Sequence, residues 1–169
     1  LEDLGDALYT RVIAADATTE NSLYSSAVDA LLTLSVAPPP KLRPLDATTM
    51  AEQAMIAFGW YAGQAEPTIE PLLRGVFADQ ISAPDALMLR DVHAGNLIWL
   101  PDRSGVARVG LLDFQDAMLC SRLYDVVSLI EDARRDLPRG LADRHYAQAA
   151  TRLGRDLPGV RIEAAALSL

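Results

Sequence analysis

The sequence predicts a mainly α fold with one small β-hairpin embedded between helices. Apolar residues recur at helical spacing in window after window, separated by Pro, Gly or Thr. One stretch breaks that period: Leu87–Ala117, LMLRDVHAGNLIWLPDRSGVARVGLLDFQDA. It holds two short apolar runs, Asn96–Leu100 and Arg108–Leu112, around a polar turn at Pro101–Gly105. With 169 residues and 50% hydrophobic side chains, the chain fits one domain with its own core.

The elements follow in order. Leu4–Ala17 places Leu4, Leu8, Val12 and Ala15 at helical spacing. Thr18 and Thr19 are candidate caps for a second helix from Glu20, with Leu23, Ala27, Ala30, Leu31 and Leu34 apolar. It stops before Ala37-Pro38-Pro39-Pro40, since proline lacks the N–H donor and restricts the residue ahead of it. Pro38–Pro44 reads as an extended surface linker. A third helix is expected over Met50–Ala62 after Thr48 and Thr49, with Phe58, Trp60 and Tyr61 as core. A fourth is expected from about Thr68 to Gln80, stacking Leu72, Leu73, Val76 and Phe77. After the hairpin, Arg122–Asp136 reads as a strong helix. Its charged end, Glu131, Asp132, Arg134, Arg135 and Asp136, reads as a solvated face. Pro138-Arg139-Gly140 breaks that helix, Leu141–Leu153 forms another ending at Gly154, and RIEAAALSL offers a last short helical stretch.

Composition excludes several classes. Every apolar run is interrupted by Asp, Glu, Arg or Pro before it reaches a membrane span, so no membrane partner is expected. The opening LEDLGD is acidic and lacks the pattern of a signal peptide. A single cysteine, Cys120, cannot form an internal disulfide and fits a reducing, cytoplasmic setting; it reads as a small core residue. A net charge of −8 without a basic stripe makes nucleic acid a poor partner. A nucleotide triphosphate would need a metal, or a cation from outside the chain, to offset the repulsion.

The hairpin carries the chemistry. Asp91 and Asn96 lie in the loop before its first strand, in D-V-H-A-G-N, and Asp113 ends its second strand after the apolar VGLL. Paired strands would bring these acids and the amide to one end. An aspartate can orient a hydroxyl and take its proton late in a loose phosphoryl-transfer transition state. An Asn carbonyl and a second carboxylate are hard oxygen ligands suited to Mg²⁺. Each feature alone is common in turns and caps; a carboxylate at the end of a buried strand is less ordinary, because it needs a partner or a metal.

RDVHAGN followed by GLLDFQDA and then RLYDVVSLIEDARRD resembles the aminoglycoside phosphotransferase and choline kinase family, small-molecule relatives of protein kinases. Within it, the wording is most similar to the bacterial anomeric sugar kinases that act on N-acetylmuramate and N-acetylglucosamine in cell-wall recycling. The resemblance implies that residues 1–169 are the helical C-terminal catalytic lobe of a protein-kinase-like α+β fold. It implies ATP and Mg²⁺ as cofactors and an amino sugar as acceptor, phosphorylated at its anomeric hydroxyl. Asp91 matches the catalytic aspartate, Asn96 and Asp113 the metal-binding pair, and His93 and Asp125 the residues that brace the catalytic loop. Backbone groups of Leu1 and Glu2 match the hinge that receives the adenine.

The chain also departs from the family. Leu89 stands where a histidine is common, and no glycine-rich loop or strand lysine grips phosphates. By the resemblance these residues are expected not to include the N-terminal nucleotide-clamping lobe, so this chain alone is expected to be inactive or nearly so. An acidic surface would also suit an aminoglycoside or choline, though the motif wording favours an amino sugar. A non-catalytic kinase-like binding module is the competing class, opposed by the presence of Asp91, Asn96 and Asp113. A metal-dependent phosphohydrolase is opposed by a histidine supply of only His93 and His145.

Overall fold

The computed structural model describes residues 2–61, 63 and 67–169. Among them the helices are α1 (Tyr9–Ala15), α2 (Glu20–Ser35), α3 (Ala47–Tyr61), α4 (Ile69–Gln80), α5 (Tyr124–Ile130), α6 (Arg139–Leu153) and α7 (Leu157–Leu167). The strands are β1 (Ala86–Met88), β2 (Leu97–Trp99), β3 (Val109–Leu111) and β4 (Met118–Cys120). The fold is mainly α, as the sequence predicts.

α2 is the central helix. Leu23, Tyr24, Ala27, Val28, Leu31 and Leu32 are buried on it, and it packs against α5 and α6. Val126, Val127 and Leu129 of α5 and Tyr146, Ala149 and Ala150 of α6 complete this core with Val160 and Ala164 of α7. Each fully buried aliphatic side chain here contributes about 1.5–3 kcal/mol of transfer free energy. α6 ends where Gly154 turns left-handed (φ 63°) and its N–H returns to the carbonyls of Ala150 and Thr151. Asp156 then caps α7 by accepting the Gly159 N–H at 2.7 Å.

The anticipated hairpin forms. β2 and β3 pair antiparallel with Leu97 opposite Leu111, Ile98 opposite Gly110 and Trp99 opposite Val109. Gly110 is closely packed: a Cβ there would stand 2.9 Å from Leu4 Cδ1 and 3.1 Å from Ile98 Cβ, so a larger residue would need both side chains to shift. A second antiparallel pair, β1 with β4, matches Leu87 with Leu119. Its strands are three residues long, too short to display a period in the sequence.

Several expectations are corrected. Residues 4–8 are not helical: Gly5 has a φ of 72°, Leu8 bridges to Ile98, and the Trp99 N–H donates to the Ala7 carbonyl at 2.8 Å. α1 starts only at Tyr9. Thr19 takes the N-cap position of α2 but makes no side-chain capping hydrogen bond; Asp16 caps the short turn before it by accepting the Thr18 N–H. The end of the proline-rich stretch is docked and not a free linker, with reciprocal backbone hydrogen bonds joining Arg43 and Leu45 to Leu119. α3 starts at Ala47, so Thr48 and Thr49 lie within it rather than before it, and Asp46 caps it by accepting the Thr49 N–H. The end assigned to that helix, Ala62, lies outside the described residues.

Trp60 and Tyr61 are not core. They are 84% and 93% exposed. The packed stripe of α3 runs through Met50, Ala51, Ala54, Met55 and Phe58; Ile56 and Trp60 fall on its other face, and Tyr61 is the last residue of the helix. On α4 only Phe77 is buried, while Leu72 is exposed. α5 stops at Ile130, well short of Asp136. The charged run after it is not a uniformly solvated face: Asp132 is buried and closes a turn by accepting the Arg134 N–H, and Arg135 pairs with Glu20.

Candidate functional site

The pairing of β2 with β3 brings Asn96 and Asp113 to the open end of the hairpin, where the Leu112 N–H donates to the Asn96 carbonyl at 3.0 Å. The Asn96 side-chain amide donates to the Asp91 carbonyl at 3.0 Å and stands 3.5 Å from Asp113 Oδ2. The other Asp113 oxygen accepts from the Gln115 amide. One side chain therefore ties together the loop before β2 and the turn after β3. Arg90 and Asp113 are the non-glycine residues with positive φ among those described, at 83° and 60°. Such backbone costs about 1–3 kcal/mol per residue and persists only when its surroundings enforce it.

Asp125, at the start of α5, supplies that enforcement for Arg90. Its Oδ2 accepts the Leu89 N–H at 2.8 Å and its Oδ1 the Arg90 N–H at 3.2 Å. Burial pushes its carboxyl up to about 6, against the pull of those two donors. From the next turn of α5, the Ser128 hydroxyl donates to the Val92 carbonyl at 3.0 Å. α5, held in the core by Val126, Val127 and Leu129, thus fixes the loop on both sides of Asp91.

Asp91 itself is exposed. His93 Nε2 is 3.8 Å from its Oδ2, while His93 Nδ1 accepts the Gly95 N–H at 3.1 Å and closes the loop. Arg134 Nη2 is 3.6 Å from Asp91 Oδ1. Arg134 is itself held by Asp132 Oδ1, which lies 3.1 Å from both its N–H and its Nη1. Sequence reasoning placed Arg134 and Asp132 on a solvated helix face; the signal missed was the end of α5 at Ile130, which folds them back toward the loop. Asp91, Asp113, Arg90 and Gln115 line a cleft of about 390 Å³ whose far wall includes Gln53 of α3 and Tyr124 of α5. That volume suits a small ligand.

Glu2 does not join this cluster. Its carboxylate pairs with Arg103 in the β2–β3 turn, at the end of the hairpin away from Asn96 and Asp113. Leu1 lies outside the described residues. Among the described residues no three His, Cys, Asp or Glu side chains form a metal cluster. The oxygens of Asn96 and Asp113 are hard donors in the number that Mg²⁺ takes from protein when phosphate and water complete its shell. Asp113 has no ion-pair partner among the described residues, leaving its charge available for such a cation. No helix among them is long and apolar enough to cross a membrane. Cys120 is buried and its thiol is pushed up to about 12 by that burial, leaving it protonated and unreactive at neutral pH.

A family model described as "Phosphotransferase enzyme family" matches residues 2–162. The chain is 41% identical over 156 residues to the N-acetylmuramate/N-acetylglucosamine kinase of Caulobacter vibrioides, a match covering 80% of this chain and 42% of that protein. It is 27% identical over 143 residues to the protein of the same name from Pseudomonas putida, covering 79% and 40%. The chain spans about two fifths of the length of these relatives.

Proposed function

This chain belongs to the phosphotransferase enzyme family, and on that premise we propose that it is the helical C-terminal catalytic lobe of an ATP- and Mg²⁺-dependent kinase. Its partner would be an N-terminal lobe that clamps the nucleotide, and its acceptor the anomeric hydroxyl of an N-acetylated amino sugar. The observation that carries this reading is the convergence of Asp91, Asn96 and Asp113 through one hydrogen-bonding amide at the end of the β2–β3 hairpin. The names of the relatives support the choice of acceptor.

In this reading Asp91 accepts a hydrogen bond from the acceptor hydroxyl and orients it. As the bond from that oxygen to the γ-phosphorus forms and the bond to the β-γ bridging oxygen breaks, Asp91 takes the hydroxyl proton. Asn96 and Asp113 would hold Mg²⁺, which would supply positive charge to offset that on the phosphate oxygens. Asp125 and His93 keep the loop in its strained form, and Arg134 keeps the Asp91 carboxylate aimed. Backbone groups near Leu1 and Glu2 receive the adenine. The setting is the cytoplasm and the role is recycling of cell-wall sugars.

Coupled ATP turnover by the full-length polypeptide tests the reading. The panel is N-acetylmuramate, N-acetylglucosamine, an aminoglycoside, choline and no acceptor, each with and without Mg²⁺. Mg²⁺-dependent turnover on the amino sugars is expected, with Asp91→Asn lowering kcat at least 10²-fold and leaving ATP binding intact. Turnover confined to the aminoglycoside or choline would overturn the acceptor. ATP binding without turnover on any compound would point instead to a binding module.

A further inference from the structure

Beside the cleft that holds Asp91 and Asp113 runs a second, more open groove lined by Ile56, Trp60, Tyr61 and Arg90. Gln53 and Arg90 line both, so the two adjoin. The groove wall on α3 is the helix face left free by packing, and it presents two highly exposed aromatic rings. Isolated exposed apolar residues are ordinary; a Trp, a Tyr and an Ile together beside a reactive cleft are not. An aromatic face of this kind covers the C–H face of a pyranose ring while the sugar hydroxyls remain free for polar partners.

Arg90 is the other half of the argument. Its backbone is pinned in a strained conformation by the buried Asp125 carboxylate, while its guanidinium makes no ion pair or hydrogen bond among the described residues. The chain carries a net charge of −8, so its overall field repels an anionic acceptor. A carboxylate entering this groove therefore depends on a local cation, and Arg90 stands at the junction of groove and cleft. Guanidinium and carboxylate match as paired, charge-assisted hydrogen bonds.

We infer that the groove between α3 and the Arg90–Asp91 loop is the acceptor subsite, and that Arg90 selects acceptors bearing a carboxylate on the sugar. This rests on the amino-sugar kinase reading and adds to it the residue that separates two acceptors. N-acetylmuramate carries a carboxylate on an ether side arm, and N-acetylglucosamine lacks one. Trp60 serves both by stacking on the ring; Arg90 serves only the first.

The test is steady-state kinetics of the full-length polypeptide on both sugars for the parent, Arg90→Gln, Arg90→Lys and Trp60→Ala. Arg90→Gln is expected to lower kcat/KM on N-acetylmuramate about 10- to 100-fold, mainly through KM, and to leave N-acetylglucosamine within about 2-fold. Arg90→Lys is expected to recover part of the loss, since it restores charge without the planar fork. Trp60→Ala is expected to raise KM about 10-fold on both sugars alike. A urea midpoint and an ATP affinity equal to the parent's are the controls that each variant is folded, and N-acetylglucosamine turnover by the Arg90 variants reports that their loop is intact. Equal losses on both sugars in Arg90→Gln would show loop positioning and overturn the selection role, as would no loss on either. A parent protein that phosphorylates neither sugar would overturn the kinase reading and this inference together.

Discussion

The buried carboxylate of Asp125 works against its own solvation. The unfolded chain releases this proton near pH 3.8 and the folded chain near 6, so between those values the native state binds the extra proton. The stability contribution of this group is full below about pH 4 and is lost as pH rises through 6, by on the order of 3 kcal/mol. Asp125→Asn is expected to flatten the fall in urea midpoint between pH 4 and pH 7; an unchanged slope would assign that fall elsewhere. The same variant should lose about 10-fold or more in kcat in the full-length polypeptide, because an amide offers one acceptor oxygen where Leu89 and Arg90 need two. Ionised Asp125 thus trades stability for loop geometry. His145 has the opposite character: burial holds its imidazole below the usual range, and the neutral ring stacks on Tyr24 with centroids 5.8 Å apart. It is a core histidine with no place in the site.

At the scale of elements, α7 is locked by one side chain. Glu163 is fully buried and accepts hydrogen bonds from the Ser82 N–H and hydroxyl, each at 3.0 Å, from the Ser121 hydroxyl, and from Arg155. Burial alone would raise its carboxyl, but the bonds from Ser121, Ser82 and Arg155 together outweigh it and hold it below the usual range. Its contribution is therefore present above its unfolded value and lost as pH falls below it, the reverse of Asp125. Glu163→Gln is expected to cost about 2–3 kcal/mol in chemical denaturation, less than a fully enclosed pair because Arg155 still meets water. A change under 1 kcal/mol would mean that the network is not what holds α7.

The same scale explains what could be read in advance. The β2–β3 hairpin was legible because VGLL and NLIWL are apolar runs on either side of a Pro-Asp-Arg-Ser-Gly turn, and its acids followed from it. β1 and β4 were not, since their partners lie far apart in sequence and each is three residues long. The true end of α5 was hidden because the Asp132 carboxylate replaces helical hydrogen bonding, a local competition that periodicity does not register. Trp60 and Tyr61 were misread on bulk alone; counting positions against Ala51 and Phe58 would have put Trp60 outside, whereas Tyr61 is exposed at the end of α3, which spacing does not register. Arg134 reaches Asp91 only because α5 ends early, so no spacing rule links the two.

Across the whole molecule, packing is uneven. The core joins α1, α2, α5, α6, α7 and the hairpin, whereas α3 packs chiefly against α4 and buries only Ala51 completely. A helical pair with so few enclosed side chains opens at a lower free energy than the global transition. Amide hydrogens of α3 are expected to exchange for deuterium at least 10-fold faster than those of α2. An acceptor that lies against Trp60 should slow that exchange in α3 while leaving α2 unchanged, and exchange equal to that of α2 in the free protein would show one cooperative unit. With the reactive carboxylates on the rigid body and the aromatic wall on the looser one, occupancy of the groove would be felt as order before it is felt as chemistry.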